Sequence, residues 1–169
     1  MLIRRLLPEE WPALRTARLA ALAGDPGNFF KPHAVEAALP DSHWTDLLDD
    51  PRVVIFGLFE RDQLIGITAA FVDGDDASGR TAGFGMSWID PDFRSRGLTE
   101  WLYRARLDWA RERGFARVEV SHRASNHASR RAIERHGFRR IGARPHVWPD
   151  GVAEDDIRYE LMLAPEPLG

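Results

Sequence analysis

The sequence contains no cysteine, and only one of its 23 basic residues, Lys31, is a lysine. The absence of cysteine excludes a disulfide scaffold, a thiolate metal site and a cysteine nucleophile. Histidines and acidic residues form neither an HExxH motif nor a tight cluster, so we expect no metal site. Neither the start of the chain nor any later stretch is apolar for long enough to form a signal peptide or a membrane span. We therefore expect a cytoplasmic protein that binds no membrane.

The chain does contain enough apolar material for one folded domain. Its 169 residues are 44% hydrophobic and 29% charged, which is unlike a disordered tail. We find no internal repeat, low-complexity tract or linker. The simplest organisation is therefore a single domain over residues 1–169.

The formal net charge of -3 is unevenly distributed along the chain. Residues 94–144 hold fourteen arginines and five acids, a net charge of +9, and the remainder has a net charge of -12. Such a division is compatible with an anionic ligand on one half and a cationic ligand on the other. It is equally compatible with ordinary solvated charge.

The order of predicted elements indicates an α/β protein with a mixed sheet and helices on its faces. Predicted strands are 2–6, 53–59, 64–72, 81–89, 117–121, 138–147 and 156–163, and predicted helices are 8–24, 97–113, 125–135 and one that Asp41 or Ser42 caps. Gly83 and Gly85 lie inside a strand, which indicates a β-bulge or a close backbone approach there.

The most informative segment joins the strand 81–89 to the helix that follows it, through Asp90-Pro91-Asp92-Phe93-Arg94-Ser95-Arg96-Gly97-Leu98-Thr99. The first N–H groups of that helix have no intrahelical partner and lie at the positive end of its dipole. Gly97 permits a close backbone approach, and Arg94 and Arg96 add full charges. The segment therefore predicts a pyrophosphate-binding loop, although it is neither a Walker P-loop nor a GxGxxG loop.

Two motifs in this half of the chain resemble those of a known family. Arg94-x-x-Gly97-x-Thr99 resembles the phosphate-loop signature of the GNAT superfamily of acyl-CoA-dependent N-acetyltransferases. Asn126, Ser129 and the segment Arg135-His136-Gly137-Phe138 are similar to the second family motif, at the expected separation. The resemblance covers Leu2 to Leu163 and implies the GNAT fold, with a mostly antiparallel sheet, splayed central strands and flanking helices. It also implies N-acetyltransferase activity with acetyl-CoA as co-substrate.

The resemblance further implies which residues contact the cofactor. Backbone groups of Ser87, Trp88 and Ile89 would pair with the pantetheine amides as an added strand does. The pyrophosphate would contact the loop residues Arg94, Ser95, Arg96, Gly97, Leu98 and Thr99. Asn126 and Ser129 would contact the pantetheine arm, unless Asn126 serves only as the N-cap of its helix.

The expected reaction is direct attack of a neutral amine on the thioester. Backbone N–H groups near Trp88 and Ile89 would polarise the carbonyl. Two positions depart from the family pattern, because Ile133 stands where many relatives have a tyrosine acid and Ser121 where some have a glutamate base. Candidate catalytic residues are therefore Ser121 itself, Glu119 and His122, with water as the alternative proton carrier.

The acceptor is expected to be a primary amine of a small molecule or peptide. Phe29, Phe30 and Trp44 are candidates for lining its site, and the acids between residues 36 and 50 would attract a cation or form a solvated face. We expect no nucleic-acid partner, and a homodimer stays open. Because the tyrosine and glutamate positions are lost, a non-catalytic acyl-CoA-binding sensor or scaffold stays open as an alternative.

Overall fold

The computed structural model describes residues 1–164, so the last five residues of the predicted domain lie outside the described part. The strands are β1 (Leu2–Arg5), β2 (Val53–Glu60), β3 (Gln63–Val72), β4 (Thr81–Ile89), β5 (Arg117–Arg123), β6 (Arg139–Arg144) and β7 (Asp156–Met162). The α-helices are α1 (Trp11–Gly24), α2 (His33–Ala37), α3 (Asp41–Asp49), α4 (Thr99–Glu112) and α5 (His127–Arg135). None of the helices in residues 1–164 combines the length and apolar composition that crossing a bilayer demands.

Within residues 1–164 the strands form one seven-stranded sheet in the order β1-β2-β3-β4-β5-β7-β6. Every neighbouring pair is antiparallel except β4 and β5, which run parallel. The last strand, β7, inserts between β5 and β6, so the closing pair of strands continues the sheet on the far side of β5. The predicted mixed, mostly antiparallel sheet is confirmed.

The parallel pairing of β4 with β5 is short. It consists of Thr81 with Arg117, Ala82 with Val118 and Gly83 with Glu119. The remaining residues of both strands, all of them within the described part, form no further pairs with each other, so the strands diverge. We call this opening the fork, and it confirms the splayed central strands.

Helices cover both faces of the sheet because neighbouring strand residues point to opposite sides. Helices α1 and α3 cover one face, whose core includes Leu14, Trp44, Leu48, Ile67 and Trp88. Helices α4 and α5 cover the other face, whose core includes Phe84, Leu107, Val118, Ile133 and Tyr159. The fork is therefore bounded above and below by helical layers.

Both features that the glycines of β4 predict are present. A Cβ on Gly83 would overlap the ring of Phe71, so only glycine allows this ring to cross the strand. A β-bulge follows Gly85, because Thr68 of β3 faces two residues of β4, Met86 and Ser87. Met86 has a φ of 57°, in the left-handed region.

Candidate active site

The fork brings the two sequence motifs to the same end of the sheet. Strand β4 ends at Ile89 and leads into the loop 94–99, whereas β5 ends at Arg123 and leads to Asn126 and α5. Because β4 and β5 are parallel, both motifs lie beyond their carboxyl ends, where open α/β sheets bind ligands. The topology thus assembles a single candidate site from segments about thirty residues apart in sequence.

The loop 94–99 has the backbone of an anion-binding turn. Ser95 and Gly97 have φ values of 62° and 70°, and such left-handed residues turn successive N–H groups toward one point. Leu98 is buried and anchors the loop, and α4 begins at Thr99. A Cβ on Gly97 would have no heavy atom within 4 Å, so the space beside it is open. These features fit a pyrophosphate group.

The two arginines of the loop are held differently. The Arg94 guanidinium donates to the carbonyl oxygen of Ile89 and to Asp25, both at 2.9 Å, so it braces the loop against the end of β4. Arg96 lies over the ring of Phe93 at 4.9 Å and stays exposed. Arg96 is therefore better placed than Arg94 to meet a phosphate.

Asn126 is the N-cap of α5, since its Oδ1 accepts a hydrogen bond from the Ser129 N–H at 3.2 Å. The cap uses only the carbonyl oxygen of the side chain. The Nδ2 group is not part of this bond and can still donate to a ligand. Capping and cofactor contact are thus compatible, and the contact of Asn126 and Ser129 with pantetheine stays a prediction.

A cavity of about 380 Å³ lies over the fork on the face that carries Gly83, Glu119 and Ser121. We call it the acceptor-side cavity. Its other walls include Phe30, Phe71, Asp73, Asp75, Asp76, Arg144 and Arg158. Both signs of charge and three phenylalanines, Phe84 among them, therefore surround a space large enough for a small ligand or the end of a peptide.

Glu119 and Ser121 point into this cavity together, as regular strand alternation predicts. The Glu119 carboxylate accepts a hydrogen bond from Arg158 at 2.9 Å and lies 3.5 Å from Arg117. Its oxygens are thus held by two guanidinium groups, so the carboxylate is already bound within the protein.

His122 lies on the opposite face of β5, away from Glu119 and Ser121. The ring is buried, with Nδ1 2.6 Å from the Arg123 carbonyl oxygen and Nε2 3.2 Å from the Tyr159 hydroxyl. Ile133, at the family's tyrosine position, is fully buried on that face. Burial also raises the pKa of the Tyr159 hydroxyl, which favours its neutral form. The structure therefore does not bring His122 to the acceptor-side cavity.

The three aromatic residues proposed for the acceptor occupy different environments. Phe30 lines the cavity and stacks on Trp148 at 5.1 Å. Phe29 is partly buried against the α1–α3 core, with the Arg18 guanidinium 4.9 Å from its ring. The prediction that Trp44 lines the acceptor site is wrong, because Trp44 is fully buried in that core and cannot touch an acceptor.

The acidic wall of the cavity comes from a segment that the sequence analysis did not select. Asp73, Asp75 and Asp76 lie in the loop between β3 and β4. Glu36, from the predicted acidic region, is instead buried in an ion pair with Arg18. Three aspartates within four residues were the available signal, but a polar turn is the ordinary interpretation of such a loop. Residues 1–164 contain no group of three or more acids or histidines placed to hold a metal ion.

A short segment, residues 25–30, ties the two arms of the fork together; we call it the crossing segment. Asp25 contacts Arg94 beyond β4, and the carbonyl oxygen of Gly27 accepts from Arg123 of β5 at 2.8 Å. A Cβ on Gly27 would lie 2.6 Å from the Arg123 guanidinium, so a larger residue here would displace that side chain. The crossing segment therefore fixes the width of the open end.

Comparisons with known proteins agree with this geometry. The acetyltransferase (GNAT) family profile matches residues 9–138. A Bacillus subtilis protein with the provisional name ribosomal protein bS18-alanine N-acetyltransferase is 24% identical over 110 residues, which are 65% of this chain and 70% of that protein.

Two solved structures share the fold across almost the whole chain. A ribosomal-protein-alanine N-acetyltransferase from Brucella melitensis has a TM-score of 0.82 at 18% identity and covers 96% of this chain and 100% of its own. A provisionally assigned acetyltransferase from Salmonella typhimurium was solved with its cofactor acetyl-CoA. It has a TM-score of 0.83 at 16% identity, and the match covers 100% of this chain and 97% of that protein.

Proposed function

Since this chain belongs to the acetyltransferase (GNAT) family, we propose that it acetylates the α-amino group at the N-terminus of a protein or peptide, using acetyl-CoA. The observation that carries the choice of acceptor is the state of Glu119, the one carboxylate of β5 that lines the acceptor-side cavity. Glu119 belongs to the last pair of β4 and β5 before the fork opens, and two arginines already hold its carboxylate.

The donor half of the proposal uses the loop and the β4 arm of the fork. The N–H groups of the loop 94–99 bind the pyrophosphate, Arg94 holds the loop in place, and Arg96 adds charge. Residues 87–89 pair with the pantetheine amides, and Asn126 donates to the same arm. When bound, acetyl-CoA supplies a thioester: the amine nitrogen bonds to its carbonyl carbon, the carbon–sulfur bond breaks, and the CoA thiol leaves with the proton that the amine gives up.

The acceptor half follows from proton chemistry. An α-amino group has a pKa near 7.7–8.0, so roughly one molecule in ten is neutral at pH 7. A lysine side chain has a pKa near 10.4, so fewer than about one in a thousand is neutral. A site that positions its substrates, and in which arginines already hold Glu119, therefore favours the α-amine, because more of it is neutral before it binds. Ser121 and Glu119 then contact and orient the amine, and water removes the proton.

The composition of the cavity supports the same acceptor class. Aspartates 73, 75 and 76 favour a positively charged chain end, and Arg144 and Arg158 can face the peptide carbonyl oxygens. Phe30 offers an aromatic wall beside the first side chain. The Bacillus and Brucella relatives both bear names that specify acetylation of a ribosomal protein at alanine, which agrees with this proposal.

The test is acetyl-CoA-dependent thiol release at pH 7 with matched acceptors. One peptide set carries free Ala, Ser, Thr or Met N-termini and no lysine; a second set has a blocked N-terminus and one internal lysine; a polyamine and an aminoglycoside complete the panel. We expect at least about a tenfold preference for the free N-termini, because their neutral fraction is larger. Mass spectrometry should place the acetyl group on the α-nitrogen.

Two results would contradict the proposal. Transfer to lysine or to the small amines alone would show a different acceptor class. Tight acetyl-CoA binding without transfer to any acceptor would instead support an acyl-CoA-binding sensor or scaffold. The cytoplasmic location and the homodimer stay predictions, to be checked by cell fractionation and by light scattering.

A further inference from the structure

One arginine in the core of the protein has no acidic partner. Arg106 of α4 is only 1% exposed, and no carboxylate in residues 1–164 lies close enough to pair with it. Its guanidinium instead lies between two rings, 4.5 Å from the centroids of both Phe84 and Tyr103. Burial lowers the pKa of Arg106 to about 10, so the side chain is still cationic at neutral pH.

The hydrogen bonds of Arg106 lead to the bulge of β4. Its Nε donates to the Leu102 carbonyl oxygen at 3.1 Å, and its Nη1 donates to Ser87 Oγ at 3.0 Å. Ser87 Oγ lies 2.8 Å from Thr68 Oγ1, which lies 3.5 Å from the Gly85 carbonyl oxygen. Arg106 donates to Ser87, because a guanidinium only donates. When Thr68 donates to the Gly85 carbonyl oxygen, Ser87 is the donor to Thr68, and the chain then runs from Arg106 to Gly85.

This chain spans the strained residue of the bulge. Met86 has a φ of 57°, which costs a non-glycine residue energy and persists only where its surroundings enforce it. Gly85 and Ser87 flank Met86 on either side, and Thr68 is the single residue of β3 that faces the bulge. The chain from Arg106 therefore fixes both neighbours of the strained residue.

We propose that Arg106 is a positioning residue that acts through Ser87 and Thr68 to hold the β4 bulge, so that its N–H groups point at the thioester carbonyl. The inference rests on the proposed function for the identity of the thioester, but the bulge and its hydrogen bonds belong to the free protein. The positive charge behind the strand also favours negative charge that develops on the carbonyl oxygen.

A purely structural explanation accounts less well for these contacts. A buried cation without a carboxylate pays a desolvation cost, and an apolar side chain of similar length would fill the same space between two rings. Stability alone would thus favour methionine at this position. A role in holding a backbone conformation that the reaction needs explains why an arginine occupies this position.

The first experiment compares Arg106→Met and Ser87→Ala with the wild-type protein, free of ligand. Arg104→Met is the matched control, because Arg104 is exposed on the same helix. We expect the Tm of Arg106→Met to equal or exceed that of the wild-type protein. In both test variants, the amide protons of residues 86–88 should exchange with solvent at least about tenfold faster than in the wild-type protein. The control should change neither quantity.

The second experiment measures the infrared carbonyl band of acetyl-CoA labelled with ¹³C at the carbonyl. Bound to the wild-type protein or to Arg104→Met, the band should move to lower frequency than in water. In Arg106→Met and Ser87→Ala it should return toward the free value, with kcat about 10- to 100-fold lower and KM for acetyl-CoA within about threefold.

Unchanged amide exchange in a folded Arg106→Met protein would overturn the proposal, as would an unchanged carbonyl band in both variants. If Arg106→Met fails to fold, Ser87→Ala and Thr68→Val test the same chain. If the wild-type protein does not bind acetyl-CoA, the proposed function fails, whereas amide exchange still decides whether Arg106 holds the bulge.

Discussion

The two arms of the fork are stabilised in opposite ways. On the β4 arm, the cation Arg106 is buried against aromatic rings and hydroxyl groups, and it supports a strained bulge. On the β5 arm, Arg158 lies 2.9 Å from Glu119, and Arg123 lies 2.7 and 2.8 Å from Asp150 and Glu154. One arm thus keeps an uncompensated positive charge, and the other neutralises its charges in pairs.

This difference assigns a different task to each arm. Unpaired positive charge and oriented N–H groups favour negative charge, which suits the phosphates and the thioester carbonyl of the donor. Paired charges hold the strand, and the Glu119 carboxylate that lines the cavity is one of the paired groups. We infer that the β4 arm activates the donor and that the β5 arm only positions the acceptor.

The largest expected effect follows from changing the loop of the β4 arm. In Gly97→Asp, a negative side chain enters the space where the loop N–H groups converge, and we expect the affinity for acetyl-CoA to fall at least about 100-fold. The stabilisation by acetyl-CoA at 100 times the wild-type Kd, about 2.7 kcal/mol, should then nearly disappear. Differential scanning fluorimetry with and without acetyl-CoA measures it.

Gly114→Asp provides the control at the opposite end of α4. Gly114 has a φ of 75° and, like Gly97, no heavy atom within 4 Å of an added Cβ. Both substitutions therefore carry a similar backbone strain, about 1–2 kcal/mol each, and add the same charge. At the C-terminal end of α4 the added carboxylate also meets the negative end of the helix dipole, so Gly114→Asp should be the less stable of the two. Equal loss of acetyl-CoA binding in both variants would contradict the assignment of the loop.

The next effect concerns the ion pairs of the β5 arm. Arg123→Met removes the contacts to Gly27, Asp150 and Glu154 at once and should lower the Tm at pH 7 by several degrees. Arg130→Met, which breaks an exposed pair with Glu134, is the control and should have almost no effect.

The same variant has a defined pH dependence. Arg123 lowers the pKa of Asp150, and hydrogen bonds from Ser125 and then from Arg123 lower the pKa of Glu154. Carboxylates with lowered pKa values stabilise the folded state above their unfolded pKa of about 4, and this stabilisation is lost as the pH falls through the folded values. The Tm difference between wild type and Arg123→Met should therefore shrink from pH 6 to pH 3. A constant difference would show that Arg123 acts through packing alone.

The fold was largely predictable because its signals are local. The hairpin of β2 and β3, the bounds of β4 and the loop before α4 follow from periodicity, turn residues and the glycine at position 97. The bulge was anticipated only as one of two options for the glycines of β4. Its position at Met86 depends on Thr68 of β3, which the local sequence around Met86 does not reveal.

The acceptor half was harder to predict because its residues owe their roles to distant partners. Trp44 and Phe30 are both aromatic residues near helix starts, yet Trp44 of α3 is fully buried against α1 and Phe30 faces the cavity. The sequence pattern predicts that Arg106 is a surface residue of a charged helix. The structure instead places it beside Ser87, nineteen positions earlier in the chain. Charge and hydropathy patterns do not contain that contact.

The smallest expected effect bears most directly on the comparison of the two arms. If the β5 arm only positions the acceptor, Glu119→Gln should lower kcat/KM by less than about threefold, because glutamine can still accept the hydrogen bond from Arg158. The pH profile should continue to follow the acceptor α-amine, with a pKa near 8. Glu160→Gln is the control. Glu160 lies opposite Glu119 in the register of β5 and β7, and its carboxylate also contacts Arg117. A loss of about 100-fold or more in Glu119→Gln alone, the size typical of a missing general base, would show that this arm takes the proton itself.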